Sequence, residues 1–228
     1  RRRRSVTSRI MTFVGLLLIV GGLALLGWFA WQYFGTNIVS KQKASEITET
    51  TQAQWSNGIE GDAVALLRVE RFGDDYEVPI VKGFDDASLA EGVGMYPDGV
   101  GPGEKGNFAI AAHRVTHGEP FRDFLELRTG DLVEVETRTK IYTYELMNDG
   151  DAITVDFTTS WPLWKVPNPD SKGEPPEKSY LTMLTCSELF HTRNRNVAIG
   201  ELVDTVDKAT TAPPADRAVT DDTEAAGG

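Results

Sequence analysis

Ile10 to Phe34 is an almost unbroken apolar run of 25 residues, preceded by Arg1–Arg4 and Arg9. A helix rises about 1.5 Å per residue, so roughly 20 such residues cross the hydrocarbon core of a bilayer. The one strongly polar residue, Gln32, lies near the far end of the run, beside Trp28, Trp31 and Tyr33. Amphipathic rings of that kind favour the membrane–water interface. The pattern predicts a single transmembrane anchor over residues 10–34 behind a basic cytoplasmic segment, residues 1–9. Arginines stay on the cytoplasmic side, so the remainder is expected outside the cell. A cleaved signal peptide is the competing reading, but its apolar region would be about 7–15 residues, followed by a small-residue cleavage site. This run is longer and ends in bulky aromatics, which favours an uncleaved anchor.

Charge agrees with an exported domain. All 34 acidic residues lie beyond the apolar run, against 18 of the 23 basic ones. Nucleic-acid binding needs a basic face, so that class of partner is excluded. Residues 35–57 are polar and read as a stalk, with a helix over Val39–Gln54. Residues 206–228 are rich in Thr, Ala, Pro, Asp and Gly, with too little apolar surface to order themselves, and read as a disordered tail. Residues 58–205 between them make one domain.

That domain is mostly β. Strand patterns occur over Ala63–Val69, Glu77–Val81, Asn107–His113, Leu132–Thr137, Lys140–Leu146, Ala152–Phe157, Tyr180–Thr185 and Val197–Val203. About eight short strands with little helix, apart from a short one expected in Pro120–Leu127, predict an antiparallel barrel or sandwich. Gly92–Gly106 reads as a Gly/Pro-rich loop. Thr159–Lys178 is a long connection carrying Trp161, Trp164 and five prolines. Loops of that length in a compact domain are usually functional or disordered. Its two tryptophans either bind a ligand or pack the loop down.

Cys186 is the single cysteine, so no internal disulfide forms. A lone thiol in an oxidising space needs a reason to persist, and catalysis is one. The alternative is a small buried thiol in a core strand. An ordinary thiol is largely protonated at neutral pH, and a nearby imidazole or cation stabilises the thiolate. The histidines are His113, His117 and His191. His113 is the preferred partner because it ends a predicted strand, and rigid strand ends hold catalytic groups better than loops do. Arg195 lies nine residues past the cysteine. Asp85-Asp86 and Asp149–Asp151 read as turns, so no metal or other cofactor is expected.

Three separated motifs carry a family resemblance: Asn107-Phe-Ala-Ile-Ala-Ala-His113-Arg114, Tyr180-Leu-Thr-Met-Leu-Thr-Cys186, and Arg195. Together they resemble the signature of sortases, membrane-anchored cysteine transpeptidases of Gram-positive bacteria, and most of all the class E type of actinobacteria. The resemblance covers roughly Ala63–Val203. It implies a sortase-type eight-stranded β-barrel with short helices behind one N-terminal transmembrane helix. The implied substrates are surface proteins bearing a Leu-Pro-x-Thr-Gly or Leu-Ala-x-Thr-Gly signal, and the implied acceptor is an amine of a lipid-linked peptidoglycan precursor. Carried over by position, Cys186 is the nucleophile, His113 the acid and base, and Arg195 the group that holds substrate or oxyanion. Thr185, Trp161 and Trp164 are implied to contact the signal. Class E relatives commonly carry tyrosine where this chain has His117, which is therefore also assigned to the substrate. A thiol protease, an L,D-transpeptidase and a non-catalytic membrane-tethered β module with an inert Cys186 are the competing readings. The spacing suits sortases better than the first two.

Overall fold

The computed structural model describes residues 6–31, 35–186 and 193–209. Arg1–Arg4, Tyr33, His191 and residues 210–228 of the predicted tail lie outside the described residues; the expected tail begins later than residue 206, because the last strand runs on to Asp207 and Lys208 is paired with Glu136. Helix α1 spans Val6–Ala30. Its stretch Arg9–Ala30 is long and apolar enough to cross a membrane, and none of it is buried against the rest of the chain. Helix α2 follows over Thr36–Ser56, longer at both ends than the expected Val39–Gln54.

Nine strands follow: β1 Ala65–Val69, β2 Glu77–Lys82, β3 Val93–Met95, β4 Gly106–Ala111, β5 Leu132–Glu136, β6 Lys140–Leu146, β7 Thr154–Asp156, β8 Ser179–Cys186 and β9 Asn194–Asp207. Their order is β6-β5-β1-β2-β3-β4-β8-β9, and β9 pairs back onto β6. This closes a ring of eight, as expected. The ninth strand, β7, lies against Asn194–Asn196 at the start of β9, while β6 takes Gly200–Asp207. The expectation of a wholly antiparallel barrel is corrected at two joints, because β2–β3 and β4–β8 are parallel. The first parallel return is made possible by a short helix α3, Asp86–Leu89, capped by the Asp85 carboxylate, which accepts from the N–H groups of Ala87 and Ser88. β3 was read as loop, and the helix expected in Pro120–Leu127 is a single 3-10 turn, Phe124–Glu126.

The period-two pattern decides which side chains fill the ring. Val133 and Val135, Tyr144 and Leu146, Phe108 and Ile110, and Leu181 and Met183 point inward into one core with Phe121 and Phe124. Complete burial of such a side chain is worth about 1.5–3 kcal/mol. Tyr144 keeps a polar partner in the core, its hydroxyl accepting from the Gly103 N–H at 2.7 Å. Burial pushes this phenol well above its ordinary range, although that hydrogen bond opposes the shift. Gly103 has a positive φ of 78°, and a Cβ there would lie 2.0 Å from the Tyr142 ring, so only glycine fits.

The segment read as a stalk lies along the barrel. Thr51 is fully buried, and its hydroxyl accepts from the Ala63 N–H at 3.1 Å. Trp55 is buried, with the Lys208 ammonium 4.7 Å from its ring centroid. Lys208 also pairs with Glu136, which in turn pairs with Arg68. Burial pushes the Glu136 carboxyl up, but hydrogen bonds from Lys208 and Arg68 outweigh it and hold the group below its ordinary value of 4.5. A carboxylate with a depressed folded-state pKa contributes stability above its unfolded pKa and loses it as pH falls through the folded value. Glu136→Gln should therefore cost about 1–2 kcal/mol at neutral pH. The difference from wild type should shrink progressively below pH 4.5. Denaturant titrations of both proteins across the acid limb measure it, and a gap that does not narrow would contradict the assignment.

Candidate active site

The parallel joint between β4 and β8 brings His113 and Cys186 to one rim. Register pairs Ala109 with Thr182 and Ala111 with Leu184. Two further bonds carry the joint past the strand end: the Ala112 N–H donates to the Leu184 carbonyl at 3.2 Å, and the Thr185 hydroxyl donates to the Ala112 carbonyl at 2.9 Å. His113 and Cys186 therefore each stand two residues past the Ala111–Leu184 pair. Phe108, Ile110 and Ala112 face the core, as do Leu181 and Met183. The alternate positions, including His113 and Cys186, share the outer face.

Arg195 joins them from the other side of β8. It is the direct antiparallel partner of Cys186, as Val197 is of Leu184 and Ile199 of Thr182. Directly opposed residues of an antiparallel pair project to the same face, so the guanidinium shares the outer rim with the thiol. β7 backs this part of β9, with Val155 opposite Arg195 and Asp156 opposite Asn194. The Asp156 carboxylate accepts from the Thr158 hydroxyl and N–H and from Arg193, which together push its pKa down to about 2. Arg193 also lies over the Phe157 ring, 5.2 Å from its centroid. These contacts fix the start of β9 just before Arg195.

The remaining predicted residues divide. The His117 ring stacks on His113, with centroids 4.6 Å apart and an interplanar angle of 29°. Its Nδ1 lies 3.0 Å from the Thr116 hydroxyl. Thr185 is 3% exposed; its hydroxyl is turned inward and engaged with the Ala112 carbonyl, so it ties β8 to β4. Trp161 opens a 3-10 turn, Trp161–Leu163, at the start of the long loop, and Trp164 ends it. That loop lies over the outer face of β4, where the buried Asn107 amide donates to the Pro162 carbonyl at 2.7 Å and the Trp164 carbonyl at 2.9 Å. The Lys172 ammonium approaches the Trp164 ring at 5.8 Å.

Two residues at this site escaped the sequence reading. Arg114 donates from Nε to the Cys186 carbonyl at 2.9 Å, bracing the end of β8 from the chain that carries His113. Asn107 was read only as the first residue of a strand. A polar residue at an outward strand position in an otherwise apolar run was the available signal for it.

A closed eight-stranded β-barrel with a thiol, an imidazole and a guanidinium on one rim is the class of protein these elements define. Residues 67–203, more than half of the chain, match the family model described as the sortase domain. The chain belongs to the sortase family. It is 28% identical to the sortase SrtE1 of Streptomyces coelicolor over 84% of its length, a match that spans 56% of that relative. Against SrtE2 of the same organism it is 27% identical over 90% of its length and 87% of the relative. Among solved structures, sortase E from Streptomyces avermitilis superposes with a TM-score of 0.56 at 31% identity, covering 64% of this chain and 91% of that one. A sortase E1 from Streptomyces coelicolor, solved with a tripeptide in its active site, gives a TM-score of 0.53 at 30% identity over 64% and 91% of the two chains.

Asn107→Ala removes both donors from the loop anchor. Leaving two sheltered carbonyls unpaired should cost about 1–3 kcal/mol. It should also speed amide hydrogen exchange in residues 160–165 while β5 and β6 keep their protection. Uniform loss of protection across the barrel would mean that Asn107 supports the fold as a whole rather than the loop.

Proposed function

We propose that this chain is a membrane-anchored cysteine transpeptidase. It would cleave a C-terminal sorting signal of the Leu-Pro-x-Thr-Gly or Leu-Ala-x-Thr-Gly kind between threonine and glycine, and join the threonine to an amine of a lipid-linked peptidoglycan precursor. The observation that carries this reading is the register pairing of Cys186 with Arg195, beside the strand that delivers His113. Residues 10–34 would hold the enzyme in the membrane with residues 1–9 cytoplasmic and the barrel outside. Family membership and the apolar helix support that topology.

Each role follows from the chemistry of its group. The Cys186 sulfur attacks the threonine carbonyl carbon, and the carbonyl oxygen becomes an oxyanion. A guanidinium at Arg195 is suited to stabilise that charge, which for an oxyanion donor is worth about 3–4 kcal/mol. Collapse of the intermediate breaks the Thr–Gly bond, and His113 gives the departing glycine nitrogen its proton, leaving a thioacyl-enzyme. The acceptor amine then attacks the thioester carbonyl and loses a proton to His113. An amide forms, and the thiolate leaves. Covalent catalysis divides one hard acyl transfer into two easier ones.

The chain in detergent, incubated with a sorting-signal peptide and an amine, should show a thioacyl adduct on Cys186 by mass spectrometry. Cys186→Ala should abolish adduct and product. His113→Ala should slow transfer by roughly 10²–10⁴-fold, and Arg195→Ala by roughly a hundredfold or more, with the fold retained. Near-normal transfer by His113→Ala, with loss in His117→Ala, would reassign the base. Slow, denaturation-dependent labelling of Cys186 by a vinyl sulfone would instead favour the non-catalytic reading.

Selectivity is assigned to His117 and the Trp161–Lys178 loop. A ring N–H at His117 would hydrogen-bond the substrate backbone beside the second residue of the signal. Leu-Ala-x-Thr-Gly should then be processed faster than Leu-Pro-x-Thr-Gly, and His117→Ala should shrink the ratio several-fold, the worth of ~1 kcal/mol. His117→Tyr should keep or widen it. Measuring kcat/KM for both peptides on the three enzymes decides, and an unchanged ratio would shift selectivity to the tryptophan loop.

A further inference from the structure

The loop that follows His113 is held from outside the barrel by one side chain. Asn37, in the first turn of α2, donates from Nδ2 to the Glu119 carboxylate at 2.5 Å and to the Val115 carbonyl at 3.5 Å. Its Oδ1 accepts from the Gly118 N–H at 3.0 Å. Three points of a five-residue loop are thus gripped by one amide. Gly118 lies against Ser40 and Lys41 of the same helix, with a positive φ of 84°.

The loop has bonds of its own, the Glu119 N–H to the Thr116 carbonyl at 3.1 Å and an Arg122–Glu119 ion pair, but they leave two strained residues to be held. His117 and Glu119 both have φ of 53°, in the left-handed region, which non-glycine residues hold only when their surroundings impose it. Beneath the loop, between it and α2, is a cavity of about 350 Å³, lined by Ser40, Lys41, His117 and Arg122 among others. Packing from that side is therefore incomplete, and the Asn37 amide supplies fixed contacts to Val115, Gly118 and Glu119, while the Tyr76 hydroxyl donates to the Pro120 carbonyl at 2.7 Å beyond them. The far edge of the loop returns to His113, whose carbonyl accepts the Phe121 N–H at 3.0 Å. Between these ends, the His117 ring is stacked on His113.

We infer that Asn37 is a positioning residue for His113: it holds the Val115–Glu119 loop so that the His117 ring packs against the imidazole that moves the proton. The inference rests on the catalytic reading above, and it ties the helix next to the membrane segment to the chemistry. Small misplacements of a reacting group cost rate disproportionately, so loss of the clamp should appear in kcat before KM.

The test uses the full chain in detergent and two readouts, amide exchange of residues 115–119 and steady-state transfer of a sorting-signal peptide to an amine. Asn37→Ala should raise exchange in that loop about tenfold and lower kcat about five- to twentyfold, with KM for the peptide within about twofold. Glu119→Gln alone keeps an acceptor for Asn37 and should behave nearly as wild type. Asn37→Asp should be impaired like Asn37→Ala, because it loses both donors and sets a carboxylate beside Glu119. The double variant Asn37→Asp/Glu119→Gln restores the link to residue 119 with reversed polarity and keeps the Gly118 contact, though not the one to Val115, and should recover part of kcat. Unchanged loop exchange in Asn37→Ala overturns the clamp. Changed exchange with unchanged kcat, or no recovery in the double variant, overturns the positioning role. A wild type that forms no thioacyl adduct, with the exchange difference intact, overturns the catalytic reading and leaves the clamp standing.

Discussion

The rim chemistry depends on a parallel pairing between two strands 73 residues apart, joined at their ends by the Thr185 hydroxyl on the Ala112 carbonyl. Parallel neighbours end at the same edge of a sheet, so β4 and β8 deliver their C-terminal residues, His113 and Cys186, to one place. An antiparallel pairing of the same strands would have put the imidazole and the thiol at opposite ends of the barrel. The antiparallel β8–β9 joint then does the opposite service, because it brings the start of β9, and so Arg195, back to the end of β8. Two joints of different sense are needed to assemble three residues from three strands.

Strand faces were legible in the sequence and strand partners were not. Val133, Val135, Leu181 and Met183 announce themselves by alternation, because a buried face and a solvated face demand different residues. The pattern is silent about which neighbour a strand takes, so the parallel sense of β4–β8 could not be read from it. β3 was missed because three residues inside a Gly/Pro-rich stretch give no periodicity to detect. Cys186, His113 and Arg195 stood out in the sequence as candidates by type and spacing, and the strand registers bring them to one rim.

The docking of α2 shows the limit from another direction. Its buried residues are Ser40, Thr48, Thr51 and Trp55, three of them small and polar, so the helix carries no apolar stripe. A polar helix reads as a spacer until a hydroxyl such as that of Thr51 meets a backbone N–H, as it does at Ala63. Asn37 is similar: an asparagine at the start of a helix suggests a cap, whereas here its amide reaches across to another part of the chain. Contacts of this kind depend on geometry over long separations and leave no local signature.

The way β9 shares its partners has a consequence for the edge of the sheet. β6 and β7 lie one after the other along the same side of β9, β7 on Asn194–Asn196 and β6 on Gly200–Asp207. Among the described residues, the outermost strand of the sheet is β7, three residues long. A sheet edge is a template on which foreign strands can add, and three residues offer little grip. The sheet therefore gives a foreign extended strand little edge on which to add.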